Sequence, residues 1–138
     1  MTSSAHDGSP VELPKPKIRA GASLERALSL RRSRRTFADS PVSAEDLSQL
    51  LWAAQGVTAA YGLRTAPSAG SLHPLRLYAV VGNIDGLAPG AYRFDAATHS
   101  LEQLETGDRL ATLREASGHQ ECLGAGAVDL IVAGDPAG

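Results

Sequence analysis

Cysteine is almost missing from this chain. Cys122 is the single thiol among 138 residues, so no intramolecular disulfide framework can form, which fits a reducing compartment. Aromatic residues are also scarce, at 4% against 43% hydrophobic residues overall. Alanine and leucine must therefore fill most of the core, which favours closely approaching helices and leaves little margin against cavities. An excess of either charge is absent. The formal net charge is −2, so no global field steers the chain toward nucleic acid or an anionic membrane. No apolar run approaches the roughly 20 residues that cross a bilayer. The start places His6 and Asp7 where a secretion signal has its apolar stretch. The expectation from these absences is a cytoplasmic protein with no nucleic-acid and no membrane partner.

What is present is enough for one domain and not for two. Residues 1–20 mix Ser, Gly, Pro and charge without an apolar period and are expected to form a flexible N-terminal arm. Residues 21–138 hold the foldable part. A first helix is expected from Ser23, as N-cap, to about Leu30. The clearest element follows: Ser43 with Asp46 three residues later makes an acidic capping box. Leu47, Leu50, Leu51 and Ala54 then fall on one helical face. Gly56 stands where the helix should stop. Residues 58–71 read as a loop punctuated by Gly62, Pro67 and Gly70. A strand is expected at Leu75–Val81, a hairpin from Ala91–Phe94 and Ser100–Leu104, a short helix from Asp108 to about Ser117, and a strand at Val128–Ala133 interrupted by Asp129. Strands and helices alternate without strict βαβ spacing, so the fold class is α+β, with a mixed or antiparallel sheet and flanking helices.

Three constellations bear on chemistry. Arg31-Arg32-Ser33-Arg34-Arg35 places four guanidinium groups within five residues at a helix end. They either form a solvated basic face that complements the helix dipole or bind an anion such as a phosphate monoester, since arginine matches phosphate oxygens bidentately. No glycine-rich P-loop accompanies them. The second constellation is Ala66–Pro74, whose small residues allow a backbone to approach a planar ligand closely. A nucleophile elbow around Ser68 is disfavoured, because that motif needs a strand before the serine and a helix after it. The third, His119-Gln120-Glu121-Cys122, falls short of a zinc site. No Cys-x-x-Cys occurs, and His6, His73 and His99 lack ligand spacing. No metal site is expected.

The succession SLERALSLRRSRRTF, SAEDLSQLLWAAQGV, RTAPSAGSLHPLRLYAVV and GLAPGAYRFDAATHSLEQL resembles the SagB-type (thiazoline/oxazoline) dehydrogenases, a branch of the FMN-dependent nitroreductase superfamily. The resemblance covers nearly all of the chain after about Leu13 and corresponds to the N-terminal half of that family's domain. It implies a nitroreductase-like fold, FMN as cofactor, and a cofactor site at a homodimer interface. It also implies that Arg31 pairs with the FMN phosphate, that Arg32 and Ser33 contact phosphate or ribityl chain, and that Arg35 lies near the pyrimidine edge. Pro67, Ser68, Ala69, Gly70 and Ser71 would run along the ring. The position of Ser71 often holds Asn in ordinary nitroreductases, a departure that agrees with the SagB-type branch. The implied activity is hydride or two-electron transfer, oxidising peptide azolines to azoles. Other readings are a nitro or quinone reductase using NAD(P)H, a non-catalytic remnant serving as scaffold or dimerisation module, and a nucleotide-binding module without redox chemistry. The lysine and tyrosine that act as catalytic residues in azole-forming members belong to the second half of that domain, so the catalytic acid or base is unknown.

Overall fold

The computed structural model describes residues 8–19 and 21–134. Its elements are β1 (Val11–Glu12), α1 (Leu24–Leu30), α2 (Ala44–Gln55), β2 (Leu75–Val81), β3 (Gly90–Asp95), β4 (Ser100–Thr106), α3 (Leu110–Ala116) and β5 (Val128–Gly134). The strands form one five-stranded sheet in the order β1-β4-β3-β2-β5. Every pairing in it is antiparallel, which settles the expected mixed or antiparallel sheet in favour of the latter. The expected α+β architecture is thus present, with α2 packed on one face.

The expected arm at residues 1–20 lies outside the described residues for positions 1–7 and 20. The remainder is not free of the fold. Val11 pairs with Leu101 and Glu12 with Ser100, and the Leu13 amide donates to the His99 carbonyl at 3.2 Å. Val11 and Leu13 pack against the core. A two-residue strand is too short to show a period, so composition alone could not reveal it.

α2 begins as its capping sequence dictates: the Ser43 side chain accepts from the Asp46 amide at 3.1 Å, and Glu45 and Asp46 sit at the positive end of the helix dipole. Its C-terminus falls at Gly56, as expected. Gly56 has φ −67°, an ordinary value. Glycine is required there because a Cβ would lie 2.1 Å from Trp52 Cδ1 and 2.6 Å from the Trp52 carbonyl oxygen. Leu47 and Leu51 are wholly enclosed with Leu77, Ala79, Val81, Tyr92, Phe94 and Leu101. Leu50, expected on the same buried face, is 50% exposed. The buried stripe is rotated toward Ser48 and Gln55, because Ser48 is drawn inward by polar partners described below.

In β2, Leu77, Ala79 and Val81 face α2. The interruption at Asp129 in β5 has a local cause, since its Oδ2 accepts the Gly124 amide at 2.7 Å. β5 ends the strand order.

Candidate functional site

α1 delivers the basic segment. Ser23 caps it by accepting from the Arg26 amide at 3.2 Å. The Glu25 carboxyl is held below its ordinary range by a backbone hydrogen bond and then by the Ser23 hydroxyl. None of the helix residues is buried, and Leu24 and Leu28 are exposed. The chain from Arg31 to Phe37 is exposed throughout. Arg32 turns back on the helix, its guanidinium donating to the carbonyls of Ser29 at 3.1 Å and Arg31 at 2.7 Å, as a cation at a negative helix end should. Among the described residues, the guanidinium groups of Arg31, Arg34 and Arg35 have no hydrogen bond or ion pair; these donors remain available for an external anion.

The loop that follows α2 is tied to it. Thr65 donates its amide to the Gly56 carbonyl at 3.0 Å and its hydroxyl to the Trp52 carbonyl at 3.2 Å. Beyond it, residues 69–71 make a single tight turn. Gly70 has φ 61° and Ser71 φ 55°, both left-handed. Glycine adopts that region freely, whereas for Ser71 it is an uncommon conformation. Ser68 is extended, and its Oγ accepts the His73 amide at 2.8 Å. It therefore closes the turn and lacks the strained geometry of an activated nucleophile. Pro67, Ser68 and Ala69, with Gln55, His73, Pro74 and Leu75, line a cavity of about 270 Å³.

Of the residues singled out from the sequence, the structure brings Pro67, Ser68 and Ala69 to this cavity. Arg31, Arg32, Ser33 and Arg35 do not line it. Gly70 and Ser71 form the exposed tip of the turn. The basic segment and the loop thus share no cavity in one copy of the chain: the first carries unpaired guanidinium donors, and the second lines the cavity beside Gln55.

Two groups of residues escaped the sequence reading. Ser48, fully buried, places its Oγ 2.7 Å from His99 Nε2 and within hydrogen-bond reach of the Pro14 carbonyl, to which it donates. His99 Nε2 lies 3.1 Å from that same carbonyl, and the ring sits edge-on to Phe94. This pair of a buried serine and a half-buried histidine is hydrogen-bonded to backbone, so it clamps the N-terminal strand, α2 and the β3–β4 turn together. The second group is Gln55, Arg64, Arg76 and Arg93, which line a separate cavity. No spacing in the sequence joins either group. Cys122 is half-buried and reduced. Among the described residues no three His, Cys, Asp or Glu side chains gather as a metal-ion cluster, and no helix is long and apolar enough to cross a membrane.

Comparison with known proteins supplies a frame for these two segments. A sequence model described as the nitroreductase family matches residues 28–137. A provisionally named nitroreductase of Methanocaldococcus jannaschii is 37% identical over 107 residues, covering 75% of this chain and 54% of that protein. Among solved structures, a provisionally named nitroreductase from Ralstonia eutropha superposes with a TM-score of 0.75 at 34% identity, covering 89% of this chain and 54% of the other. A chain of the Escherichia coli microcin synthetase McbBCD complex with truncated pro-MccB17 bound shares the fold, with a TM-score of 0.58 at 21% identity, covering 86% of this chain and 50% of that one. The chain spans about half the length of these relatives.

Proposed function

The chain belongs to the nitroreductase family, and on that premise we propose that it supplies two halves of an FMN site that join between two copies of the chain, in a flavin-dependent oxidoreductase. The observation that supports this reading most is the separation just described. Arg31 and Arg35 are exposed and unpaired among the described residues, while Pro67, Ser68 and Ala69 line a cavity they do not reach. A second copy would bring one basic segment to the other's loop, and the uncovered leucines of α1 supply an apolar surface for that association. The homodimer that the resemblance implies thereby becomes a condition of the site.

The residues fit the cofactor in kind. Arg31, Arg32 and Ser33 would hold the phosphate and ribityl chain through charge-assisted hydrogen bonds. Arg35 would sit at the pyrimidine edge, where positive charge favours the reduced cofactor. Pro67, Ser68, Ala69, Gly70 and Ser71 would bring backbone close to the ring. When bound, FMN supplies the two-electron chemistry, and these residues bind and orient it. No acid or base is assigned to this chain.

Within the family we favour the SagB-type branch, oxidising peptide azolines to azoles. Ser71 in the loop and the β3–β4 hairpin formed by the GLAPGAYRFDAATHSLEQL segment support it. A nitro or quinone reductase using NAD(P)H is the second reading, supported by the names of the two relatives above 30% identity. A cytoplasmic setting agrees with the lone free thiol.

Flavin absorbance during FMN titration tests the assignment. Arg35→Ala should weaken binding by about one to two decades, the equivalent of a charge-assisted bond, whereas Arg34→Ala should have a smaller effect, since the motif leaves that position out of the cofactor contacts. Equal losses in the two variants would return Arg35 to the solvated face. Absence of any flavin perturbation at millimolar FMN would overturn the flavin reading itself.

A further inference from the structure

We propose that the end of the sheet beside α2 holds a second ligand site, built to take an oxyanion. A cavity of about 240 Å³ lies there, lined by Arg64 from the loop, Arg76 at the start of β2, Arg93 on β3 and Gln55 at the end of α2. Asp95 supplies the lining carboxylate, and that group is occupied, since its Oδ1 accepts the Ala97 amide at 2.8 Å and the Thr98 amide at 3.4 Å in the β3–β4 turn. Arg93 is paired with Glu102. Arg64 and Arg76 have no side-chain hydrogen bond or ion pair among the described residues, and the Arg64 Nε is buried without a partner.

Gln55 is an independent sign that something belongs in this cavity. Its side chain is 7% exposed, faces the cavity, and has no hydrogen-bond partner among the described residues. The Gln55 amide keeps its open side toward the cavity, whereas the Arg64 Nε is enclosed without a partner, and buried polar groups are almost always paired. The Gln55 carboxamide and the unpaired guanidinium groups of Arg64 and Arg76 line the same cavity. Three guanidinium groups against the Asp95 and Glu102 carboxylates leave an excess of one positive charge, which suits an anion. Guanidinium forks accept carboxylate and phosphate alike, so the shared chemistry is an oxyanion carried by a phosphate ester or a dicarboxylate. Gln55 and Leu75 also line the cavity beside Pro67–Ala69, so the two cavities adjoin. The site rests on this geometry alone and does not require flavin.

Titration calorimetry of the 138-residue chain, with inorganic phosphate and with succinate as separate probes, tests it. Saturable binding of at least one probe is expected, and the tighter one identifies the ligand class. Arg76→Gln and Gln55→Leu should each weaken that binding by about tenfold. Arg114→Gln, on the exposed side of α3, should leave it unchanged. Arg76 is itself exposed, so its variant folds and stays informative even where Gln55→Leu lowers the melting temperature. Failure of both probes to bind at tens of millimolar would overturn the site. So would an equal loss in Arg114→Gln and Arg76→Gln, because binding would then follow overall charge.

Discussion

The Tyr92 side chain is fully enclosed, and its hydroxyl donates to the Ala88 carbonyl at 2.7 Å. Burial raises its pKa above the ordinary 10.0, because the phenolate would lose its hydration. The folded chain therefore keeps this proton at a pH where the unfolded chain releases it, and stability falls as pH rises above about 10. Below that pH the contribution is intact. Tyr92→Phe should cost about 1 kcal/mol near neutrality, the worth of one hydrogen bond, and should flatten the alkaline limb of a stability–pH curve measured by denaturant unfolding. An alkaline limb identical to the parent's would mean that another group governs it. At this scale sequence reading was uneven. Arg31–Arg35 and the 67–71 loop stood out because their residues are consecutive. Ser48, His99, Gln55 and Arg64 did not, since each acquires its role from partners tens of positions away, as Ser48 does from Pro14 and His99.

α2 shows how far an element can be read from its own residues. Its start at Ser43 follows from capping chemistry, and its apolar period predicted burial of one face. The detail of that face depended on tertiary contacts: Ser48 and Gln55 go inside and Leu50 lies at the edge. A stripe of leucines defines a direction to within about one residue, and a buried polar pair can rotate it. The consequence is measurable. Leu51→Ala, at a fully enclosed position, should cost about 2–5 kcal/mol, whereas Leu50→Ala should cost less than about 1 kcal/mol, as partly exposed positions do. Equal losses in chemical denaturation would mean that Leu50 is covered in solution by a second copy. The strands were legible for a similar reason. Pro74 marks the approach to β2, and turn residues separate β3 from β4. β1 has only two residues and no pattern to read.

For the whole molecule, the decisive quantity is how much surface one copy leaves uncovered. α1 buries none of its residues, β5 is a terminal strand with Val132 58% exposed, and Leu50 lies half in solvent. A second copy can cover α1, but an open strand edge and further apolar surface still favour non-specific association. The same openness weakens the proposed cofactor site. Water around Arg31–Arg35 screens their pairing with a phosphate. Relatives of whose length this chain covers 54% have additional sequence available to enclose both. The 138-residue chain should therefore bind FMN no more tightly than micromolar in a flavin titration, elute as a mixture of sizes on gel filtration, and show no substantial oxidoreductase turnover. A yellow, monodisperse dimer with nanomolar affinity and steady turnover would contradict all three expectations. The acid–base groups of the reaction would then have to be sought among the residues described here, beginning with the side chains that line the two adjoining cavities at the end of α2.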